Sequence, residues 1–338
     1  MKRTALLSLA ILNLVLFTRT TAFAAGNGVI QGRVVNGTAD GGSTQDLEVV
    51  LLVFQGDEEG EERTTTTDAQ GQFRFENLEV AGDWAYLVRV PYNGVVYWEG
   101  VLSFEAGQSE LGTEVAVYET TTDAKDLVVE RAHIFVTIEG SGLLVTELYV
   151  FANSADRTFI GAEAIDGRRW TSRFLLPQES QNVSFEDGTL GGRFLVIEGG
   201  FVDTEPHWPG TTSVMFSYEL DCSTGDCSLG RDVSHPISNL NVMVPDTGAI
   251  LESNLLAFEG VQQAQGDAYL NYVGSNLTPG QELDLHVRLP GVVSAPTAPQ
   301  QGSAQGLPWI ILGIVLTALV LIYPFWRRRI EAAAREGR

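Results

Sequence analysis

The hydrophobic pattern divides this chain into two kinds of sequence. Residues 5–17 and 307–326 are long apolar runs without a charge. Between them, apolar and polar residues alternate in short runs broken by Gly, Asn and Asp, the period of half-buried strands. Residues 29–35 and 47–54 read as the first two strands, and the acidic stretch 57–62 as a solvated loop tip. Trp84, Tyr86, Val88 and Val90 alternate with Ala85, Leu87 and Arg89, so this strand has one apolar, aromatic face. Asn93-Gly94 is a strong hairpin signal, and residues 115–118 close the first module.

The second half repeats the style with other residues. Residues 132–138 and 145–151 form a hairpin about Glu139-Gly140-Ser141-Gly142. Further strands are expected at 174–176, 193–197, 213–218, 240–244, 251–258 and 282–289. In the last, Leu283, Leu285, Val287 and Leu289 share one face, while Glu282, Asp284, His286 and Arg288 share the other. No amphipathic helix stands out between the two terminal runs. The expected fold is all-β: two tandem antiparallel β-sandwich domains at residues 26–122 and 127–292.

The terminal runs set the expected location. Lys2 and Arg3 precede the first, and Ala22-Phe23-Ala24 places small residues where a signal peptidase reads, so residues 1–25 form a signal peptide. Residues 21–25 contain no Cys, which argues against lipoprotein processing. Residues 307–326, as a helix, would be roughly 30 Å long and would span a bilayer core. Trp309, Tyr323 and Trp326 lie near the ends of that run. Arg327, Arg328 and Arg329 follow at once and anchor the topology by the positive-inside rule. The expectation is a single-pass protein of the cytoplasmic membrane with its N-terminus outside. Residues 293–306, rich in Pro, Ala, Gln and Ser, form a flexible stalk, and 327–338 a cytoplasmic tail.

One segment carries a family resemblance. Gly32-Arg33-Val34-Val35-Asn36-Gly37-Thr38 reads as a G-x-V opening strand with its turn. Residues 64–78, TTTTDAQGQFRFENL, then supply T-x-x-x-G-x-F-x-F and Leu78. The pattern resembles the carboxypeptidase regulatory-like domain, a small transthyretin-like β-sandwich. The resemblance implies a fold for about residues 26–122 and no single activity, because such modules accompany peptidases, receptors and adhesins alike. The second domain resembles no family.

Charge narrows the partners. The chain holds 21 Lys+Arg against 43 Asp+Glu, a net charge of −22. Setting aside three basic residues in the signal and five basic and two acidic residues in the tail leaves 13 against 41, near −28. Such a surface repels nucleic acid and anionic headgroups and favours basic partners.

Chemistry is sparse in the sequence. No H-E-x-x-H, G-x-S-x-G, C-x-x-C, P-loop or dinucleotide motif occurs, and no cofactor is expected. His133, His207, His235 and His286 are scattered without ligand spacing. A copper site from His207 and His235 with Met215 or Met243 has no support in their spacing. The mature chain has one lysine, Lys125, placed in the expected inter-domain connection, so a Lys–Asn isopeptide crosslink is excluded. Cys222 and Cys227 are the only cysteines and, in an exported chain, read as a local disulfide. A metal or redox pair is the alternative, though C-x4-C lacks the redox spacing. Trp84, Tyr97 and Trp98 are candidate sugar-stacking rings.

The expected function is a non-enzymatic binding or assembly module at the outer face of the membrane, recognising another envelope protein of a bacterial cell. A carbohydrate-binding module is the first alternative. An enzyme or metal carrier sited in the second domain is another. An accessory subunit of an envelope transport or cytochrome-maturation complex follows from location alone.

Overall fold

A computed structural model describes residues 27–290 apart from 57, 81 and 265. The signal peptide, the stalk, the terminal apolar run and Arg327, Arg328 and Arg329 lie outside the described residues. The described chain is all-β and sandwich-like, with no helix. It divides into two compact units, one of residues up to Val35 together with Ser43–Val117, the other of Asn36–Gly42 and the chain from Tyr118 onward.

The first unit contains β1 (Gly28–Asn36), β2 (Glu48–Gln55), β3 (Glu58–Thr66), β4 (Gln72–Leu78), β5 (Trp84–Tyr92), β6 (Val95–Leu102) and β7 (Glu110–Val117). They form a three-stranded sheet, β4-β1-β7, and a four-stranded sheet, β3-β2-β5-β6. Alternate residues are buried in β1, β4 and β5, among them Ile30 and Val34, Phe73 and Phe75, and Tyr86 and Val88, while in the central strand β2 the whole run Val49, Val50, Leu51, Leu52 and Val53 is buried; Tyr97, Val115 and Val117 join them. Burying each large side chain contributes about 1.5–3 kcal/mol, which a module of this size needs. The turn into β4 is built by Asp68, whose Oδ1 accepts from the backbone N–H of Gln70 and Gln72. Gly71 completes it at φ +77°, where a Cβ would lie 2.5 Å from the Val34 carbonyl oxygen. Asn93 and Gly94 turn β5 into β6 at φ 49° and 78°, the left-handed pair a two-residue hairpin requires.

The second unit adds, in chain order, β8 (Thr120–Thr121), β9 (Leu127–Glu139), β10 (Gly142–Asn153), β11 (Thr158–Phe159), β12 (Ala164–Ile165) and β13 (Arg168–Arg169). Next come β14 (Ser172–Leu175), β15 (Gln181–Phe185), β16 (Phe194–Ile197), β17 (Gly200–Asp203), β18 (Gly210–Asp221), β19 (Asp226–Ser228) and β20 (Arg231–Asp232). The last are β21 (Ile237–Pro245), β22 (Ile250–Ser253), β23 (Ala257–Ala264), β24 (Asp267–Leu277), β25 (Glu282–Leu283) and β26 (Leu285–Arg288). A seven-stranded sheet has the order β15-β18-β10-β9-β21-β24-β23. Ile134, Val145, Phe216 and Val242 on one of its faces share a core with Phe174 and Phe201 of the sheet β14-β17-β16. Cys227, Leu251 and Val287 of the sheet β19-β26-β22 belong to the same core.

Four expectations are corrected. Residues 57–62 are no loop tip: β3 begins at Glu58 and pairs with β2, Leu52 opposite Glu62. As the last strand of its sheet, β3 can carry carboxylates that deter further pairing. The first compact unit reaches Val117, and β8 pairs in parallel with β11 inside the second unit. The seven-stranded sheet is mixed rather than antiparallel, since β21 runs parallel to β9 with Ile237 opposite Val129. The apolar run 251–258 is divided between β22 and β23, strands of different sheets. Strand β24, not expected at all, lies inside the large sheet.

Candidate functional site

Two places concentrate chemistry. The first is the outward face of β6. Alternation sends Val95 and Tyr97 into the core and turns Val96 and Trp98 outward, Trp98 opposite Arg89 of β5. A register shift between Tyr86 and Val88 in the β5–β6 ladder then leaves Val101 outside as well. Val96, Trp98 and Val101 are 48%, 49% and 69% exposed. The three rings expected to stack on a sugar therefore do not form one platform. Tyr97 is wholly buried, Trp84 begins β5 on the parity of the core residue Tyr86, and Trp98 faces the other way.

The second place is a polar cluster inside the second unit. Glu147 sits on β10 between Val145 and Tyr149, a carboxylate at a core-facing position of a central strand. Such a group needs a charge partner and hydrogen bonds. Arg231 Nη1 contacts Glu147 Oε1 and donates to the Leu175 carbonyl at 3.3 Å. Tyr218 Oη donates to Glu147 Oε1 at 2.7 Å and Tyr149 Oη to Oε2 at 2.8 Å. Burial, with the carboxylate alongside, raises both phenols well above their ordinary range, so they remain donors. A second buried carboxylate, Asp203, receives Arg193 through Nε at 2.8 Å and Nη2 at 2.7 Å, a bidentate pair.

His207 is 2% exposed and bridges two hydroxyls, with Nε2 at 2.7 Å from Ser172 Oγ and Nδ1 at 2.6 Å from Thr212 Oγ1. Desolvation, aided by His235 and Arg193 nearby, lowers its pKa to about 3. Ser172 is fully buried too, so this Ser–His pair holds strands together rather than facing a cleft. The His235 ring lies 5.3 Å from that of Phe151, and the His207 ring 4.5 Å. Met215 and Met243 occupy the opposite face of the large sheet, so a His–Met copper set is not assembled. Among the described residues no three His, Cys, Asp or Glu are placed to hold a metal. His286 is half-exposed, 3.7 Å from Asp226. Lys125 is exposed beside Asp123.

Cys222 and Cys227 form the disulfide, and both are buried in the main core. It joins the end of β18 to β19, tying the seven-stranded sheet to the layer packed on it.

No protein-family model matches the chain, and none of the curated proteins matches it. Among solved structures, the full-length major pilin SpaD from Corynebacterium diphtheriae is similar over 76% of this chain and 81% of that chain. The identity is 12% and the TM-score 0.23, a likeness that carries no argument about function. Among the described residues no helix is long and apolar enough to cross a membrane.

Of these features, sequence reading singled out the cysteines and Trp98. It missed Glu147 and Arg231, although Glu147 stands at an apolar parity between Val145, Tyr149 and Phe151.

Proposed function

We propose that the chain is a membrane-anchored binding or assembly module whose outward surface docks another envelope protein. The observation that carries this reading is the strip of Val96, Trp98 and Val101 on the last strand of its sheet. A Trp beside exposed aliphatic residues is the usual anchor of a protein contact, and a strand at a sheet edge offers backbone groups as well. Residues 307–326, followed by Arg327, Arg328 and Arg329, would tether both units to the outer face of the cytoplasmic membrane. The net charge steers basic partners toward the module, in a manner that salt screens.

The same reading assigns the first unit to the carboxypeptidase regulatory-like type. Its support is the Asp68–Gly71 turn, the inward Phe73 and Phe75, and the pairing of a three-stranded with a four-stranded sheet. A sugar-binding role would rest on Trp98 alone, which favours the protein-docking reading.

A photo-crosslinking residue at Val101 in native membranes, with one at Gln72 on the other sheet as control, tests the proposal. A discrete protein adduct at 101 and none at 72 is expected. Absence of adducts at 96, 98 and 101, with glycan binding that depends on Trp98, would replace the docking reading with the carbohydrate one.

A further inference from the structure

We propose that two copies of this chain join edge to edge through β23, so that their seven-stranded sheets become one. The surface is separate from the Trp98 strip. β23 is the last strand of the large sheet, and no described strand lies beyond it. The opposite edge, β15, has five residues and an irregular register with β18. β23 has eight residues, of which Glu259 alone is charged. Its Phe258 and Val261 are 56% and 53% exposed. An exposed edge of this kind is a template for another strand, and proteins usually blunt it with charges or proline. The glutamates of β3 are that device on the edge of the four-stranded sheet.

The backbone of β23 is aimed for pairing. The Asp246 N–H donates to the Ala268 carbonyl at 2.8 Å, so Ala268 turns its backbone groups toward β21 and away from β23. Gln263 lies opposite Ala268, and Val261 opposite Leu270. Such positions of an antiparallel ladder exchange no bonds with each other, so the N–H and C=O of Val261 and Gln263 point out from the sheet's edge. Both lie past the bulge between Phe258 and Gly260, on the regular part of the strand.

Symmetry and charge select the occupant. Antiparallel pairing of Val261 with Gln263 of a second copy, about a two-fold axis at Gln262, engages both outward residues of both copies. Val261 and Gln263 share one face of the strand, so the two sheets continue without exchanging faces. Glu259 stands three residues from the axis, held by Asn271 at 3.0 Å. The two Glu259 carboxylates are then roughly 20 Å apart, beyond the screening length at physiological salt. The chain between signal and tail carries a net charge near −28, so two copies repel over most of their surface. β23 is where they can meet, whereas a basic partner would be drawn to carboxylates that this edge lacks.

The test uses the full-length protein in detergent, where the two native cysteines are joined to each other. On the axis, position 262 faces its own counterpart as a non-hydrogen-bonded pair, with about 4.5 Å between Cα atoms, within a disulfide's span. Mild oxidation of Gln262→Cys should therefore yield a disulfide-linked dimer, about fivefold more than Gln263→Cys, whose counterparts are offset along the strands. Val261→Pro removes an outward N–H and leaves the β24 ladder intact. Val261→Glu keeps the strand and adds like charge at the seam. Either one, combined with Gln262→Cys, should cut the dimer yield about tenfold. No dimer from Gln262→Cys, equal yields at 262 and 263, or yields unchanged by both Val261 substitutions would overturn the proposal. Crosslinks from 262 in native membranes to a different protein alone would give the edge to another partner and overturn it equally.

Discussion

Glu147 and Arg231 form an ion pair whose side chains are 0% and 7% exposed, one on a central strand and the other on the two-residue strand β20. With Tyr149 and Tyr218 they saturate the carboxylate from three sides. The pair ties β20 to the core of the large sheet.

Removing one member should therefore cost far more than removing both. Arg231→Met leaves a buried carboxylate and should lower unfolding stability by about 3–5 kcal/mol. Glu147→Gln together with Arg231→Met should recover a large part of that loss. Denaturant titration of the three proteins measures it. A single Arg231→Met variant within roughly 1 kcal/mol of the parent would show the pair to be solvated.

A second prediction follows from His207. Its folded pKa, about 3, lies below the ordinary value of 6.5, because burial disfavours the cation. The unfolded chain therefore binds the proton first as pH falls. Stability from this group is complete above pH 6.5 and declines toward pH 3, by about 1.4 kcal/mol per pH unit. His133 and His235, both lowered to about 4 chiefly by burial, act in the same sense. Unfolding free energy compared at pH 7 and pH 5 should fall in the parent. It should fall less in His207→Gln, even though that variant starts lower. Identical pH slopes would remove His207 as the cause.

The disulfide can be weighed directly. Replacing Cys222 and Cys227 by Ser opens a short loop and should cost about 2 kcal/mol by the loop-entropy relation. Burial of both sulfurs in the core adds to that loss. Intact mass of the purified protein should lie two hydrogens below the reduced value; a reduced mass would return the pair to metal or redox chemistry.

Membrane orientation is open to labelling. Ser303→Cys should react with an impermeant thiol reagent in spheroplasts, and Ala333→Cys should react only after lysis. The opposite pattern would invert the proposed topology and place both units in the cytoplasm.

How far the chain announces this fold can be seen residue by residue. Leu283, Leu285, Val287 and Leu289 are buried on one face, as their alternation predicts. Asn93-Gly94 and Gly71 occupy the turns their chemistry requires. The β3 strand is hidden because carboxylates have low strand propensity, and only an edge position makes them useful there. Strand β24 is hidden by Asn271, Gly274 and Asn276, which look like loop residues. Asn271 is instead buried and donates to Glu259, and a Cβ on Gly274 would lie 2.6 Å from Leu256. The run 251–258 reads as one strand because periodicity does not register a change of sheet. The partnership of Glu147 with Arg231 is set by topology that brings distant strands together, so only half of it, a charge at an apolar parity, is visible in the residues.

The covalent link between β18 and β19 also fixes how load would travel. A pull on the chain leaving β26 acts on a strand flanked on both sides, by β19 and β22, with antiparallel bonds that lie across the strand and resist in shear. Through Cys227 and Cys222 that load passes by a sulfur bridge into the twelve-residue strand β18 and so into the seven-stranded sheet. Breaking that bridge would leave the last strand's layer held to the rest by turns and packing alone.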